Sequence, residues 1–374
     1  MKEGWEYRIF ESCLVKVPKQ VQVKSKDYKK EGKYPIVSQE AELISGYWDD
    51  DTIVYHHQEP VVIFGDHTKN IKYIDFNFVV GADGTHILST KNDINPKFFY
   101  YVLKSIKLRE LGYARHYKLL KEKYIPVPPL SEQQSIVDYL DSAFAKIDVM
   151  KVNAEKSLME AKALFQASLK EMLEPKEGWE EKKLKEVVIT ITDGDHQPPP
   201  KAHVGIPFIT ISNIDKNSNK IVFEDTFYVP LSYFSALKKD RIPQNGDVLY
   251  TVTGSFGIPV LIDFQKEFCF QRHIALIRPN MDILSPTYLF YWILSSYAIS
   301  QAEDTATGAA QRTVSLNSLR NFTIHVPPIH EQQSIVATLD SLKSKVDRLQ
   351  SNFEKISQEC DALKQALLRE VFEG

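Results

Sequence analysis

The sequence predicts an α+β fold in which two globular, mixed α/β units are joined by two long helices that form an antiparallel coiled coil. Three observations support this prediction. One stretch of about 50 residues occurs twice, apolar residues recur at steps of three and four within both copies, and short strand-like runs precede each copy. These observations predict that the chain contains an internal repeat with pseudo-two-fold symmetry.

The repeat is clearest at "VPPLSEQQSIVDYLDS", which starts at Val127, and "VPPIHEQQSIVATLDS", which starts at Val326. Residues 125–175 align with residues 324–374 without a gap, and about half of the positions are identical. Weaker similarities, such as "KEGWE" near the start of each half, precede these copies. The boundaries that follow are a globular unit at 1–128, a helix at 129–175, a second globular unit at 176–327 and a second helix at 328–374.

Each Pro-Pro pair precedes a predicted helix of roughly 40 residues, or about 60 Å at 1.5 Å per residue. The apolar heptad positions predict the face on which the two helices meet. We expect large residues throughout this face of the second helix, and small residues in the second half of the first helix, which favours antiparallel packing. The predicted positions are Ile136, Leu140, Ala143, Ile147, Met150, Ala154, Ser157, Ala161, Leu164 and Ser168 in the first helix, and Ile335, Leu339, Leu342, Val346, Leu349, Phe353, Ile356, Cys360, Leu363 and Leu367 in the second.

The globular units contain short runs rich in Val, Ile, Phe and Tyr that are bounded by Gly, Pro, Asn and Asp, a pattern typical of strands and turns. Each unit also has one apolar run that begins at a proline and predicts a helix. The strand runs are "DTIVYH", "EPVVIFGD", "KYIDFNFVVG", "GIPFITISN", "GDVLYTVTG" and "GIPVLIDF", and the helical runs are "NPKFFYYVLKSI" and "SPTYLFYWILSSY".

Composition limits the class of protein. With 374 residues and 43% hydrophobic residues, the chain can bury two cores. The most apolar run, "YLFYWILSSYAI" from Tyr288, is too short for a membrane span, so we expect a cytoplasmic protein without a membrane partner. The three cysteines lie far apart, which predicts buried thiols and no disulfide or zinc site. The net charge of −3 argues against a generally basic nucleic-acid coat.

Motifs for catalysis are absent from the sequence. It has no GxxxxGK[ST] loop, no GxGxxG that opens a helix after a strand, and no Asn/Asp-Pro-Pro-aromatic loop of an adenine methyltransferase. The stretch "TDGDHQPPP" gathers Asp193, Asp195 and His196, which could form a metal or acid–base site or, alternatively, a turn with Asx hydrogen bonds. We therefore predict no catalytic residue and no metal ligand.

Polar residues in the loops near the helix junctions are candidates for nucleic-acid contacts. Arginine and glutamine make bidentate hydrogen bonds to guanine and adenine edges, and lysine binds phosphates, although any solvated surface also carries such side chains. The candidates are His67, Lys69, Arg115, His116 and Lys118 in the first unit, and His196, Arg272, His273, Gln311 and Arg312 in the second.

The duplicated "PP[LI]xEQQSIVxxLD" junctions, the "EGW" that opens each half and the "TDGDHQPPP" stretch together resemble the specificity subunit of a type I restriction-modification enzyme. The resemblance implies that each globular unit is a target recognition domain for one half of a bipartite site in double-stranded DNA. It also implies that the helices set the distance between the half-sites. Two methyltransferase subunits would supply S-adenosylmethionine, and restriction subunits would supply ATP- and Mg-dependent translocation and cleavage, so this chain itself would bind no cofactor.

The residues that match the family's junction motif are Glu132, Gln133, Gln134, Glu331, Gln332 and Gln333. Two roles remain open for them: docking of partner subunits, or capping of the helix N-terminus by the acidic side chain. Two other functions also remain open for the chain as a whole. It could be an adaptor that holds two protein-binding domains on a coiled-coil rod, or a self-contained DNA enzyme, which the absence of cofactor motifs disfavours.

Overall fold

The computed structural model describes residues 4–110, 112, 115–196, 198–308 and 311–373. The chain divides into two compact units: unit 1 comprises Met1–Asn153 and Glu354–Gly374, and unit 2 comprises Ala154–Phe353. Each unit therefore contains a globular part and a segment of each long helix. None of the described helices is both long and apolar enough to cross a membrane.

Unit 1 is built on two sheets. The strands β2, β10, β7 and β8 form an antiparallel sheet in that order, and β3, β9, β4 and β5 form a second, mixed sheet, with β6 also paired to β9. The strands β1 and β11 form a separate antiparallel pair. The strands are β1 (Glu6–Ile9), β2 (Leu14–Val15), β3 (Gln22–Val23), β4 (Tyr34–Val37), β5 (Gly46–Trp48), β6 (Val54–Tyr55), β7 (Val61–Gly65), β8 (Ile71–Ile74), β9 (Phe78–Gly81), β10 (Thr85–Thr90) and β11 (Tyr124–Val127).

The helices of unit 1 cover its antiparallel sheet. Helix α1 (Pro96–Ser105) packs on β7, β8 and β10, and α2 (Tyr117–Lys121) is a short helix that follows it. The chain starts α1 at this point because the side chain of Asn95 accepts hydrogen bonds from the amides of Lys97 and Phe98, at 2.8 and 3.1 Å. All five residues of β7 are buried, as its continuous apolar run requires.

Unit 2 repeats this arrangement. The strands β13, β21, β18 and β19 form an antiparallel sheet in that order, and β17, β14 and β20 form a second sheet. The strands are β12 (Glu180–Lys183), β13 (Val188–Asp193), β14 (Ile206–Ile209), β15 (Ile214–Asp215), β16 (Lys220–Ile221), β17 (Phe227–Val229), β18 (Val248–Thr251), β19 (Pro259–Leu261), β20 (Cys269–Phe270), β21 (Ile274–Pro279) and β22 (Thr323–Val326).

The long helices are α3 (Leu130–Met172), which follows α2, and α9 (Ile329–Glu373). Between them lie α4 (Leu184–Val187), α5 (Leu231–Ser235), α6 (Pro286–Leu294), α7 (Ser296–Thr305) and α8 (Leu316–Arg320). The predicted strand runs and both proline-led helices are thus confirmed. The correspondence between the units is close: β4 pairs in parallel with β9 as β14 does with β20, and β1 pairs with β11 as β12 does with β22.

Within unit 1, the segments of α3 and α9 run antiparallel. Lys364 donates a hydrogen bond to Asp148, and the Nζ atom of Lys151 lies 3.9 Å from Oδ1 of Asp361. Residue numbers therefore increase along α3 in the direction in which they decrease along α9. Within unit 2, Nζ of Lys162 donates to Oε1 of Gln350 at 2.8 Å.

The apolar face of these helices differs from the predicted one at several positions. Met150 and Leu164 are exposed in α3 (57% and 58%), and Leu363 is exposed in α9 (47%). The buried face of α3 instead includes Leu158 and Phe165, with 5% and 8% exposure. Of the small residues predicted for the second half of α3, Ala154, Ala161 and Ser168 are half-buried and Ser157 is exposed, while Phe165 packs in the core of unit 2.

The three cysteines are Cys13, Cys269 and Cys360, and all of them are buried free thiols, as their spacing predicted. Burial raises the pKa of the Cys269 thiol to about 12, so this group is protonated and unreactive at neutral pH.

Candidate nucleic-acid interface

A buried glutamine fastens the start of each long helix to the globular part of its unit. In unit 1, Gln133 is fully buried, and its amide nitrogen donates to the carbonyl oxygens of Asp93 (3.0 Å) and Pro128 (2.7 Å). Its amide oxygen accepts from the backbone N–H of Asn95 at 2.8 Å. Because Asn95 caps α1, this one side chain connects the beginnings of α1 and α3.

Unit 2 contains the same arrangement. Gln332 is fully buried, donates to the carbonyl oxygens of Ile283 and Pro327, both at 2.8 Å, and accepts from the N–H of Ser285 at 2.8 Å. Ser285 caps α6 through its hydroxyl group. We call Gln133 and Gln332, with these backbone partners, the glutamine clamps.

The clamps give the middle glutamines a role that differs from both roles that the sequence left open. Gln133 and Gln332 are structural residues of the junction, because each side chain is fully buried and both its nitrogen and its oxygen are hydrogen-bonded to backbone groups. Their neighbours differ. Glu132 lies in the first turn of α3 and accepts from the indole N–H of Trp5 at 2.8 Å, and Gln134 accepts from the side chain of Asn95. Glu331 is half-buried, and Gln333 is exposed.

The candidate contact residues gather where the strands β7 and β18 end. In unit 1, the N–H of Asp66 donates to the carbonyl of Gly84, and the N–H of His116 donates to the carbonyl of Asp66, both at 2.8 Å. In unit 2, the N–H of Val252 donates to the carbonyl of His273, and the N–H of Val314 donates to that of Val252, both at 2.9 Å.

Three loop segments therefore meet at the same end of the antiparallel sheet in each unit. We call residues 66–69, 83–86 and 115–118 the loop edge of unit 1, and residues 252–254, 271–273 and 311–314 the loop edge of unit 2. Loops on a rigid sheet are suited to binding, because the scaffold fixes the positions of their side chains.

The loop edge of unit 1 is organised around a buried carboxylate that the sequence analysis missed. Asp66 is 4% exposed, and its Oδ1 accepts from the N–H of Tyr117 at 2.8 Å. Its Oδ2 lies 3.3 Å from Nε2 of His86 and 3.9 Å from Nε of Arg115. The ring of His86 stacks on that of Tyr117, with centroids 4.0 Å apart. The signal in the sequence was an acidic residue directly after the fully apolar strand β7.

Of the candidates in unit 1, Arg115 and Lys118 are exposed. His116 is 1% exposed, and its Nδ1 lies 3.0 Å from the carbonyl oxygen of Asp66. This burial corrects its assignment as a surface contact, and His116 instead positions the segment that carries Arg115. Lys69 forms an ion pair with Glu110, and the N–H of His67 donates to Oε1 of Gln39 at 3.1 Å.

In unit 2, the structure brings three candidates together. His196, Arg272 and His273 line one open cavity of about 300 Å³, together with the rings of Phe208 and Phe227. These two rings stack with centroids 4.9 Å apart. Aromatic walls beside hydrogen-bonding and cationic groups suit contact with nucleic-acid bases and backbone.

The "TDGDH" segment supports this cavity. Nε2 of His196 lies 2.9 Å from Oδ2 of Asp193, and the hydroxyl of Tyr233 donates to Asp195 at 3.1 Å. Burial and this hydrogen bond raise the pKa of Tyr233. Among the residues that the structure describes, which exclude Gln197, no group of three or more His, Cys, Asp or Glu residues could hold a metal ion.

The other two candidates in unit 2, Gln311 and Arg312, belong to its loop edge but do not line this cavity. The guanidinium of Arg312 donates to the carbonyl of Glu303 and lies 5.4 Å from the ring centroid of Phe256. The carbonyl of Arg312 accepts from the N–H of Gly254 at 3.0 Å, and Gln311 is exposed. Arg312 therefore holds its own loop in place.

Comparisons with known proteins agree with the internal repeat. The model of a family described as the type I restriction modification DNA specificity domain matches residues 3–159 and again residues 176–357.

Two curated proteins are similar over most of their lengths. The chain is 23% identical over 345 residues to the type I restriction enzyme EcoBI specificity subunit of Escherichia coli, with 80% of this chain and 71% of that protein covered. It is 25% identical over 310 residues to the putative type I restriction enzyme specificity subunit S.HindORF215P of Haemophilus influenzae, with 77% and 76% covered.

Two solved structures share the fold. One comes from a study of complex assembly and conformational transition of the type I R-M system, with a TM-score of 0.70 and 19% identity over 99% of this chain and 97% of that one. The other is the HsdS subunit from Thermoanaerobacter tengcongensis, with a TM-score of 0.53 and 20% identity over 100% and 98%.

Proposed function

The chain belongs to the type I restriction modification DNA specificity family, and from this premise we propose that each unit reads one half of a bipartite, asymmetric site in double-stranded DNA. Membership makes it a specificity subunit of a type I restriction-modification system. The assignment of one half-site to each unit is our proposal.

The single observation that carries this proposal is the contrast between the two loop edges. The antiparallel sheets of both units have the same strand order, so they hold their loops in equivalent places. The side chains there are unrelated: a buried Asp66 with Arg115 in unit 1, and Arg272 with His273 beside an aromatic cavity in unit 2. Two loop edges with different side chains, held on equivalent sheets, are suited to recognising a split DNA site whose two halves differ in sequence.

We also propose that α3 and α9 form an antiparallel coiled-coil rod that sets the distance between the half-sites. The contacts of Asp148 with Lys364 and of Lys151 with Asp361 support this pairing in unit 1. A helix of 43 residues is about 65 Å long, which is enough to separate two base-reading loops by several base pairs.

Further subunits complete the system in this proposal. Two methyltransferase subunits bind S-adenosylmethionine, and restriction subunits use ATP and Mg, while this chain binds none of these groups and acts as a non-catalytic recognition subunit in the cytoplasm. The duplicated junctions support two equivalent docking surfaces. The candidates on them are the exposed Glu132 and Gln134 at the first junction, and the half-buried Glu331 and the exposed Gln333 at the second. An adaptor without DNA binding is the alternative, and the DNA specificity family argues against it.

The test is to express the chain with and without its neighbouring methyltransferase subunit in a host free of DNA methylation, and to map N6-methyladenine across the genome. We expect a split motif with a fixed gap, present only when both chains are made. No motif, with the partner folded and bound, would favour the adaptor.

The rod has a separate test. Seven residues that continue the heptad pattern are inserted after Asn153 and, in the same protein, after Phe353. Seven residues add about 10 Å to each helix, and because bases along one strand are 3.4 Å apart, we expect the gap in the motif to lengthen by about three base pairs. If methylation is retained and the gap is unchanged, the length of the rod does not set the distance between the half-sites. The matched control inserts the same residues after Asn153 alone, which breaks the pairing and should abolish methylation.

A further inference from the structure

We propose that Arg272 is the side chain of unit 2 that reads a guanine in its half-site. This inference rests on the proposed function, because it assigns one base contact within a bipartite DNA site. Four features carry it: a rigid turn, a close backbone contact beneath that turn, a guanidinium that no described residue binds, and the matching chemistry of guanine.

The turn that carries Arg272 is fixed at both ends. Strand β20 ends at Phe270 and β21 begins at Ile274, and the N–H of Ile274 donates to the carbonyl of Gln271 at 3.1 Å. Arg272 and His273 are therefore the two central residues of a tight turn that connects β20 of one sheet to β21 of the other. The N–H of Gln271 donates to the carbonyl of Ile209 at 3.0 Å, which ties the turn to β14. A side chain at this position projects from a scaffold that cannot shift easily.

The "TDGD" segment supports the turn from the other side. Asp195 and Gln271 form a parallel bridge. This approach is so close that a Cβ atom on Gly194 would lie 2.0 Å from the carbonyl oxygen of Phe270 and 2.5 Å from the carbonyl carbon of Gln271. Only glycine fits here, which gives a physical reason for the glycine between two aspartates.

Arg272 differs from the other arginines that the structure describes in the globular part of unit 2. It is exposed, and no hydrogen bond or ion pair joins it to another described residue. The remaining guanidinium groups have partners: Arg241 lies 3.7 Å from Asp193, Arg278 binds Asp247, Arg312 binds the carbonyl of Glu303, and Arg320 binds the carbonyl of Ile191. Arg272 is thus the guanidinium at this edge that can bind a ligand without first losing a bond.

Guanine is the base that suits this group. Its O6 and N7 atoms accept two hydrogen bonds in the major groove, and the planar fork of arginine donates two in matching directions. Burial, with smaller contributions from Arg272 and His196, lowers the pKa of His273. The neighbouring imidazole is therefore neutral at pH 7, and Arg272 carries the positive charge of the turn.

The experiment compares the methylation motifs of Arg272→Ala, Arg272→Lys and the unchanged chain, each expressed with its methyltransferase subunit. The fraction of methylated adenine is measured at sites that differ at single positions of the motif. We expect Arg272→Ala to reduce the preference for guanine at one position, by roughly 5- to 150-fold, and to leave the other half-site unchanged. Arg272→Lys should lose the same preference but retain more methylation overall, because the charge remains without the fork.

The control is Arg312→Ala, which removes a partnered arginine from the same edge. It should lower methylation at all sites without changing the preferred bases. An unchanged motif for Arg272→Ala would overturn the assignment, as would a uniform loss at all sites, which would indicate a phosphate contact. If Arg312→Ala reduced the preference for a base at one position instead, Arg312 would be the side chain that contacts that base.

Absence of any split motif with the unchanged chain would contradict the proposed function itself. Intact recognition of the other half-site shows that each variant is folded.

Discussion

The two units share a scaffold and differ at its edge. Both contain an antiparallel sheet of the same strand order, and both fasten a long helix with a buried glutamine that makes three hydrogen bonds. At the position after the central strand, however, unit 1 has the buried carboxylate of Asp66, whereas unit 2 has the apolar Val252. The backbone hydrogen bonds around these two residues are equivalent. A sheet with a clamped helix can therefore carry chemically different loop edges.

The two loop edges are held in place by different interactions. In unit 1, side-chain contacts contribute, because Asp66 accepts from the N–H of Tyr117 and lies near His86 and Arg115. In unit 2, backbone pairing and the Gly194 contact hold the turn, and no described residue binds the side chain of Arg272. Residue changes at the edge should affect stability more in unit 1, and recognition more in unit 2.

The largest effect should come from the helix segment that unit 2 buries. Phe165 packs in the core of unit 2, 6.2 Å from the ring of Tyr291, and its replacement by alanine should cost about 3–5 kcal/mol of unfolding free energy. Leu164→Ala, one residue earlier on the exposed side, should change stability by less than about 0.5 kcal/mol. Urea unfolding measures both, and equal effects would contradict the observed orientation of α3.

The glutamine clamps should contribute equally in the two units. Gln133→Ala and Gln332→Ala each leave three backbone groups without their partner, one in a buried and two in partly buried hydrogen bonds, so each should cost about 2–3 kcal/mol. The exposed neighbour Gln333→Ala serves as the control and should be close to neutral. Thermal and urea unfolding give the values. A large loss of stability for only one of the two variants would show that the two clamps, although alike in structure, contribute differently to the free energy of unfolding.

Asp66→Val places the residue of unit 2 at the equivalent position of unit 1. The N–H of Tyr117 then loses its acceptor inside the protein, which should destabilise the chain by about 1–3 kcal/mol and weaken recognition of one half-site. Asp83→Asn, an exposed change in the same loop edge, is the control. The free energy of unfolding and the methylation motif are measured together. A variant as stable as the original chain would mean that backbone bonds alone hold this edge.

The smallest effect concerns pH. The folded pKa of His273 is lowered from 6.5 by burial first, and then by Arg272 and His196, so protonation favours the unfolded chain. The contribution of this group to stability is complete above pH 6.5 and declines as the pH falls below that value. His273→Gln should therefore reduce the loss of melting temperature between pH 7.5 and pH 5.5. An identical pH profile for both chains would show that His273 titrates normally.

Much of the fold could be predicted from the sequence because its signals are local. The proline at the start of α1 and of α6, the apolar run of β7 and the Pro-Pro pairs before α3 and α9 are each contained in a few residues. The repeat then relates one half to the other without any knowledge of contacts.

The orientation of the long helices could be predicted only in part. Ala154 and Ala161 were expected at the buried face and are half-buried, but Leu158 and Phe165 occupy the alternate positions instead of Ser157 and Leu164. Steps of three and four are both compatible with a helix of 3.6 residues per turn, so adjacent apolar residues fit either choice. The cores of the units select between them.

The sequence by itself determined the repeat, the two long helices, the main strands and the resemblance to a family, because these depend on spacing and on residues close together in the chain. Only the tertiary structure decided which polar side chains are free to bind. In the folded chain Gln133, Gln332 and His116 are buried, and Arg272 is exposed. Lys69 is paired with Glu110, and Arg312 is hydrogen-bonded to the carbonyl of Glu303. The physical reason is that burial and hydrogen bonding arise from segments far apart in sequence, such as Asp66 with Tyr117 and Gly194 with Phe270, which no local pattern encodes.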